Sequence, residues 1–424
     1  MKVFKFGGAS VKDAKAVKNV SAILGRFPEE KLLVVVSAMG KTTNKLEELV
    51  HALYNQDHRI YAGLLDDIKA YHDEILAGLF PERHYQVYQE LEDIFEQINQ
   101  LFFKPLADNR SFQYDQLVAY GELISSKILA AYLTDQSYKC SWIDAKTIIR
   151  TDNQYQEGQV DWTKTQEFCQ RLVLPKFDQI DIAITQGFIG STSEGFTTTL
   201  GREGSDYSAG IIAFCCNAES VTIWKDVPGM LNADPKYFEH TQLLSQISFK
   251  EAIELSYYGA SVIHPKTVQP LQQKNIPLFV RSFIDPDSLG TTISANAERD
   301  SHIPSYIVKH DQVLVTISSK DFSFIAEKQL AEIFSALASL QAHINLMQNS
   351  ALNFSVLLDR KKIDISALQN QLSNRYNIRY NENLELVTVR HYNDEILVQM
   401  SSGKIKLLSQ LTRTTARLVL QHLN

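Results

Sequence analysis

The chain has 424 residues, 44% of them hydrophobic and 21% charged, with a formal net charge of −7; that is enough apolar mass for two or three folded domains. No long basic run appears, which argues against a nucleic-acid surface, and no apolar run reaches the roughly 18 residues that span a bilayer. Lys5 interrupts the apolar start and glycines follow it, unlike a signal peptide, and Cys140, Cys169, Cys215 and Cys216 have neither metal-ligand spacing nor a disulfide pattern, so a reduced, cytoplasmic protein is expected.

Residues 1–6 read as a short strand ending in Lys5-Phe6-Gly7-Gly8-Ala9-Ser10. Two glycines at a strand end let the backbone approach a ligand and expose N–H groups to it. Lys5 stands at the mouth of that loop. The spacing predicts a helix over 11–24. The β-branched run 31–36 suits a strand buried on both faces of a parallel sheet, and it runs into a polar loop with Ser37, Thr43 and Asn44. Gly40-Lys41-Thr42 matches the end of a Walker A loop, but the glycine needed five residues earlier is Val35, which excludes a P-loop NTPase.

From 45 to about 106, apolar residues at helical spacing predict a helical insert whose charges form a solvated face. A helix over 115–132 carries Gly121-Glu122-Leu123. A glutamate there is either half-exposed or turned into a cleft toward a cation; both readings stay open. Strands at 139–143, 181–184, 220–224 and 277–281 alternate with helices at 161–174, 209–216 and 249–258. That alternation predicts a parallel α/β sheet, whose ligand sites gather at the carboxyl ends of the strands.

One stretch carries more chemistry than the rest: Thr199-Leu200-Gly201-Arg202-Glu203-Gly204-Ser205-Asp206-Tyr207, between a hairpin-like segment at 192–199 and an apolar helix. Ser205 and Asp206 suit the N-cap of that helix, and a helix start suits an anion. Arg202 can grip a carboxylate with two parallel hydrogen bonds. From about 301 the order of predicted elements is βαββαβ, a ferredoxin-like α+β module. Glycine is absent from 291 to 402, so this is not a second phosphate site, and no fused dehydrogenase is expected.

Taken together, the motifs at 5–10, 37–44, 121–123, 199–207, 224–235 and 259–265 resemble the aspartate kinases of the amino acid kinase family, and the tail resembles their paired ACT domains. The resemblance implies an amino acid kinase-like, parallel-rich sheet between helices over 1–296, followed by an ACT-like region over 301–424. The second ACT unit is expected to be truncated, because little chain follows Val389. Also implied are transfer of phosphate from ATP, with Mg²⁺, to the β-carboxylate of L-aspartate, an amino-acid effector at the ACT region, and a homodimer or larger homo-oligomer formed through it. No nucleic-acid or membrane partner is expected, and no metal-binding side chain is singled out.

Carried onto this chain, the resemblance makes Lys5 and Asp206 catalytic. Ser37, Thr43, Glu122, Arg202 and Ser205 fall to the aspartate site, with Arg202 for a carboxylate and Glu122 for the α-ammonium. Lys5, Gly7, Gly8, Lys225, Asp226, Leu231, Lys236 and Ser261 fall to the nucleotide. Several positions depart from the family pattern. Lys225, Leu231 and Lys236 stand where Thr, Tyr and Arg are common, Ser261 where many members have Lys, and Glu203 where Gly is common. Lys225 is expected to restore the charge that Ser261 lacks. The stretch 345–351, matching the lysine pocket of lysine-sensitive relatives, has no acidic residue. Two alternatives remain: a kinase for another amino acid such as glutamate, since one methylene is worth only about 1–3 kcal/mol of discrimination, and a catalytically weak amino-acid sensor.

Overall fold

The computed structural model describes residues 1–82, 85–260 and 262–423. The chain divides into two units: Met1–Leu231 with Leu243–Tyr257 and Ser261–Asp300, and Asn232–Gln242 with Tyr258–Ala260 and Ser301–Asn424. Among the described residues no helix is long and apolar enough to cross a membrane.

The first unit starts with β1 (Lys2–Phe6), α1 (Ala14–Leu24) and β2 (Leu32–Val36), then runs through α2 (Thr42–Tyr54), α3 (His58–Leu79), α4 (Gln86–Leu101), α5 (Arg110–Val118) and α6 (Tyr120–Asp135). Next come β3 (Cys140–Ile143), α7 (Ala145–Ile148), α8 (Trp162–Phe168), β4 (Ile182–Gln186) and the hairpin β5 (Ile189–Ser191) and β6 (Thr197–Thr199). The unit closes with α9 (Gly204–Cys216), β7 (Ser220–Lys225), β8 (Gln246–Ser248), α10 (Phe249–Tyr258), α11 (Pro265–Gln273), β9 (Leu278–Ser282) and β10 (Thr291–Ser294).

Its eight-stranded sheet has the order β3-β4-β2-β1-β7-β9-β10-β8. Every neighbouring pair is parallel except β9 with β10. All five residues of β2 are buried, as a strand covered on both faces requires. Because β1, β2, β4 and β7 run the same way, their carboxyl ends meet on one rim of the sheet. Trp224 stacks on Phe6 there with the rings 6.0 Å apart, which fixes β7 beside β1 at that rim.

Three sequence readings change in detail. The helix expected over 115–132 is two helices meeting at Ala119. The helix expected over 161–174 stays α-helical only to Phe168; it widens to a π turn at Cys169–Val173 and tightens to 3₁₀ geometry at Leu174–Asp178, where Pro175 has no N–H to donate. Ser205 and Asp206 do not cap α9. The helix begins at Gly204, preceded by Glu203 in the left-handed region at φ 54°, so both lie in its first turn.

The second unit holds β11 (Ser305–Ser319), α12 (Glu327–Ser339), β12 (Ile344–Asn349), β13 (Asn353–Asp359), α13 (Ile365–Leu372), β14 (Tyr376–Arg390), α14 (Asp394–Ser401), β15 (Lys404–Leu411) and β16 (Thr415–His422). They form one antiparallel sheet, β12-β13-β11-β14-β16-β15. β11 and β14 pair along their length with a register shift between Lys309 and Leu314. The shift splits the sheet into two sets of four with equivalent strand order. The set following Val389 draws its fourth strand from Ser305–Lys309, upstream of the first set, a contribution that chain length after Val389 does not reveal. Val315, Ile333 and Leu368 lie in the core of the first set, and Val389, Ile396 and Leu418 in that of the second.

Candidate active site

The rim where β1, β2 and β7 end is closed by the start of α9, and a cavity of about 320 Å³ opens there. Lys5 is the fourth residue of β1 and Lys225 the last of β7; Asp206 is in the first turn of α9. Register places Lys5 between Ile223 and Val35, and its ammonium meets Asp206 in the first turn of α9. Lys5 Nζ lies 2.5 Å from Asp206 Oδ1, and Lys225 Nζ lies 3.2 Å from Oδ2. Lys225 also donates to the Val262 carbonyl. Burial pushes the Asp206 carboxyl up, but the two ammonium groups outweigh it and hold Asp206 below the usual carboxylate range.

Glycines bring the walls together. A Cβ on Gly8 would stand 2.7 Å from the Ala38 carbonyl, and the Gly40 N–H bonds the Gly8 carbonyl at 3.0 Å, so the loops after β1 and β2 interlock only without a side chain there. A Cβ on Gly121 would stand 2.9 Å from Ala38 Cβ. That close approach of α6 lets Glu122 Oε1 accept the Ala38 N–H at 3.1 Å. The second oxygen, Oε2, is buried without a hydrogen-bond partner. Burial pushes Glu122 up to about 7, against the pull of the Ala38 N–H and of Lys5. Of the two readings left open for Glu122, the structure gives the buried one.

Ser37, Thr43, Ser205 and Gly8 line the same cavity as Lys5, Glu122, Asp206 and Lys225. Gly7 sits beside Lys5, its Cβ position 3.6 Å from Nζ. Arg202 and Asp226 are exposed and Leu231 is half-buried, bridged to Leu243; none of the three is among the cavity walls. Lys236 belongs to the second unit. Ser261, with the exchange of charge expected between it and Lys225, lies outside the described residues. Among the described residues no group of three acidic, histidine or cysteine side chains is placed to hold a metal.

Among the cavity walls that sequence reasoning did not assign to the site are Phe188 and Glu203. Both have left-handed backbones, at φ 68° and 54°. Such conformations cost non-glycine residues about 1–3 kcal/mol and gather at functional sites. For Glu203 the signal was legible, since a left-handed position explains why glycine is common there; Phe188 carried none. The pairing of Lys225 with Asp206 was also missed, because it depends on the order of β1 and β7 in the sheet.

Comparison with known proteins agrees with this geometry. The model of the amino acid kinase family matches residues 1–282. The lysine-sensitive aspartokinase 3 of Escherichia coli strain K12 is 33% identical over 358 residues, 84% of this chain and 78% of that protein. A chloroplastic bifunctional aspartokinase/homoserine dehydrogenase 1 of Zea mays is 29% identical over 88% of this chain, which spans 41% of that longer protein. Among solved structures, E. coli aspartokinase III in complex with aspartate and ADP superposes with a TM-score of 0.82 at 27% identity, covering 99% of this chain and 96% of the other. With the family model spanning the whole rim that carries Lys5, Glu122 and Asp206, and a full-length likeness to an aspartokinase, the chain belongs to the amino acid kinase family, among its aspartokinases.

Proposed function

We propose that this protein transfers the γ-phosphoryl group of ATP to the β-carboxylate of L-aspartate, giving 4-phospho-L-aspartate for lysine, threonine and methionine synthesis. The observation that carries the reading is the buried Lys5–Asp206–Lys225 cluster at the start of α9, in one cavity with a glutamate whose free oxygen is out of water.

The nucleophile is already a carboxylate, so no general base is needed and catalysis reduces to positioning and charge stabilisation. Lys5 neutralises charge that builds on the transferring phosphoryl group. Asp206 holds Lys5 and Lys225 in place, and Lys225 with the Gly7-Gly8 backbone receives the nucleotide phosphates. The free oxygen of Glu122 takes the substrate's α-ammonium, and Ser37, Thr43 and Ser205 supply hydroxyl donors. Arg202, on the surface here, reaches the substrate carboxylate when the loop closes over it. Asp226 and Leu231 form the outer nucleotide contacts. Mg²⁺ bound with the nucleotide would supply further neutralisation of phosphate charge beside Lys5 and Lys225. Both oxygens of Asp206 face ammonium groups, so its carboxylate is already engaged, and the nucleotide's phosphates would be what holds the Mg²⁺.

The second unit, with its two strand sets, serves as the ACT-type region that binds an amino-acid effector and pairs two copies of the chain. Aspartate-dependent release of ADP, with the product trapped by hydroxylamine, tests the reaction.

A further inference from the structure

The hairpin β5–β6 pairs its two strands through the inner edge of β6, and among the described residues no third strand pairs with the outer edge. Two consecutive side chains of α5 stand in for one. Gln116 accepts the Thr197 N–H at 3.1 Å and donates to the Thr197 carbonyl at 2.8 Å. Asp115 Oδ2 accepts the Thr199 N–H at 2.9 Å, and Oδ1 accepts the Thr199 hydroxyl at 2.7 Å. Asp115 Oδ2 also accepts the Gln156 N–H at 2.9 Å.

Asp115 is fully buried. Burial pushes it up to about 6 against the pull of the Gln156 and Thr199 donors, with Tyr114 and Tyr155 as its titratable neighbours. A dry carboxylate is a costly way to finish a strand edge, so its place matters. Thr199 is where β6 ends and the loop toward α9 begins. Gln156 is the residue whose carbonyl backs Gly201, 3.2 Å from that glycine's Cβ position. One carboxylate therefore fixes both the strand that enters the loop and the backbone that supports its turn.

We propose that Asp115, assisted by Gln116, is a positioning residue for the turn at 201–203 and the start of α9, setting the placement of Arg202 and Ser205 on aspartate without touching the substrate. The inference rests on the reading of that segment as part of the aspartate site.

The test compares Asp115→Ala, Gln116→Ala and Asp115→Asn with the unmodified chain. Michaelis constants are measured separately for aspartate and ATP, and amide hydrogen exchange is followed across 199–206 in the free protein. Asp115→Ala is expected to raise the aspartate constant roughly tenfold, the equivalent of one lost charge-assisted hydrogen bond. It leaves the ATP constant within about twofold and speeds exchange at 199–206. Gln116→Ala does the same more weakly. Asp115→Asn restores both readouts, since its amide oxygen accepts the two N–H groups and its NH₂ donates to the Thr199 hydroxyl. Equal changes in both constants, or unchanged exchange at 199–206, would overturn the proposal. Absence of aspartate turnover in the unmodified chain would sink the aspartate reading instead, and the exchange data then decide on Asp115 alone.

Discussion

Lys5 and Asp206 form a buried ion pair, with Lys5 Nζ 2.5 Å from Asp206 Oδ1 and less than a tenth of either side chain exposed. Lys225 approaches the other oxygen, so one carboxylate organises two cations at the cavity wall. Such an arrangement is worth little to stability as a pair, but removing one partner leaves uncompensated charge out of water. In a site whose task is to stabilise phosphoryl charge, it keeps two ammonium groups fixed before substrate arrives.

Asp206→Asn is expected to lower turnover by at least about 100-fold, because the two lysines lose their fixed geometry. It also destabilises the fold by about 3–5 kcal/mol. Steady-state ADP release and urea unfolding measure the two effects. A kcat within about threefold of the unmodified protein would contradict the role given to the cluster.

Lys225→Ala removes the outer of the two cations while Lys5 still faces Asp206. The ATP Michaelis constant is expected to rise about tenfold, with the aspartate constant little changed. An unaltered ATP constant would show that Lys225 serves the fold, through Asp206 and the Val262 carbonyl, and not the nucleotide.

Glu122 gives the pH dependence its sign. Burial raises it to about 7, so the carboxylate proposed for the α-ammonium is present above pH 7 and lost below. The aspartate Michaelis constant should fall as pH rises through about 7, and Glu122→Gln should flatten that profile at a high value. The same shift means that the folded protein holds this proton more tightly than the unfolded chain, so stability falls as pH rises from the ordinary glutamate range to about 7, and the full loss stands above it. Glu122→Gln should therefore be more stable at pH 8 by up to ~3 kcal/mol while binding aspartate poorly. Calorimetry beside kinetics separates the two, and a destabilised variant would refute the burial argument.

Lysine is expected to inhibit weakly or not at all through the 345–351 stretch. In the structure Asn345 Oδ1 accepts Lys309 Nζ at 2.9 Å, and Asn345 Nδ2 donates to Asp359 Oδ1 at 2.7 Å. Asp359 also faces Lys362 at 3.2 Å. Asp359, bonded to the stretch through Asn345, thus already has a cation and two amides, from Asn345 and Gln312. Half-inhibition at submillimolar lysine would contradict this reading.

Much of the first unit was legible because its signals are local. The β-branched run of β2 states its burial directly, and α10 has the bounds that its spacing predicts. Lys5, Ser37, Thr43, Glu122, Ser205 and Asp206 could be named from motifs, and the sheet gathers them around one cavity. What escaped depends on three-dimensional neighbours. β8 and β10 are three and four residues long, too short for a periodic signal. The break at Ala119 follows no glycine or proline, and the adjoining Asp115 looks like any surface acid until the edge of β6 meets it. The fourth strand of the second set lies upstream of the first set, and only the pairing of Ser305–Lys309 with β14 reveals it. Arg202 was named for its chemistry, yet stands exposed.

The most direct measurement is ADP release from the purified protein with MgATP and L-aspartate, beside wells with L-glutamate and with no acceptor, each repeated with hydroxylamine. ADP release that needs aspartate, with formation of the aspartyl hydroxamate, is the expected result. Binding of aspartate without turnover of any acceptor would contradict it and make the chain a sensor built on a kinase fold.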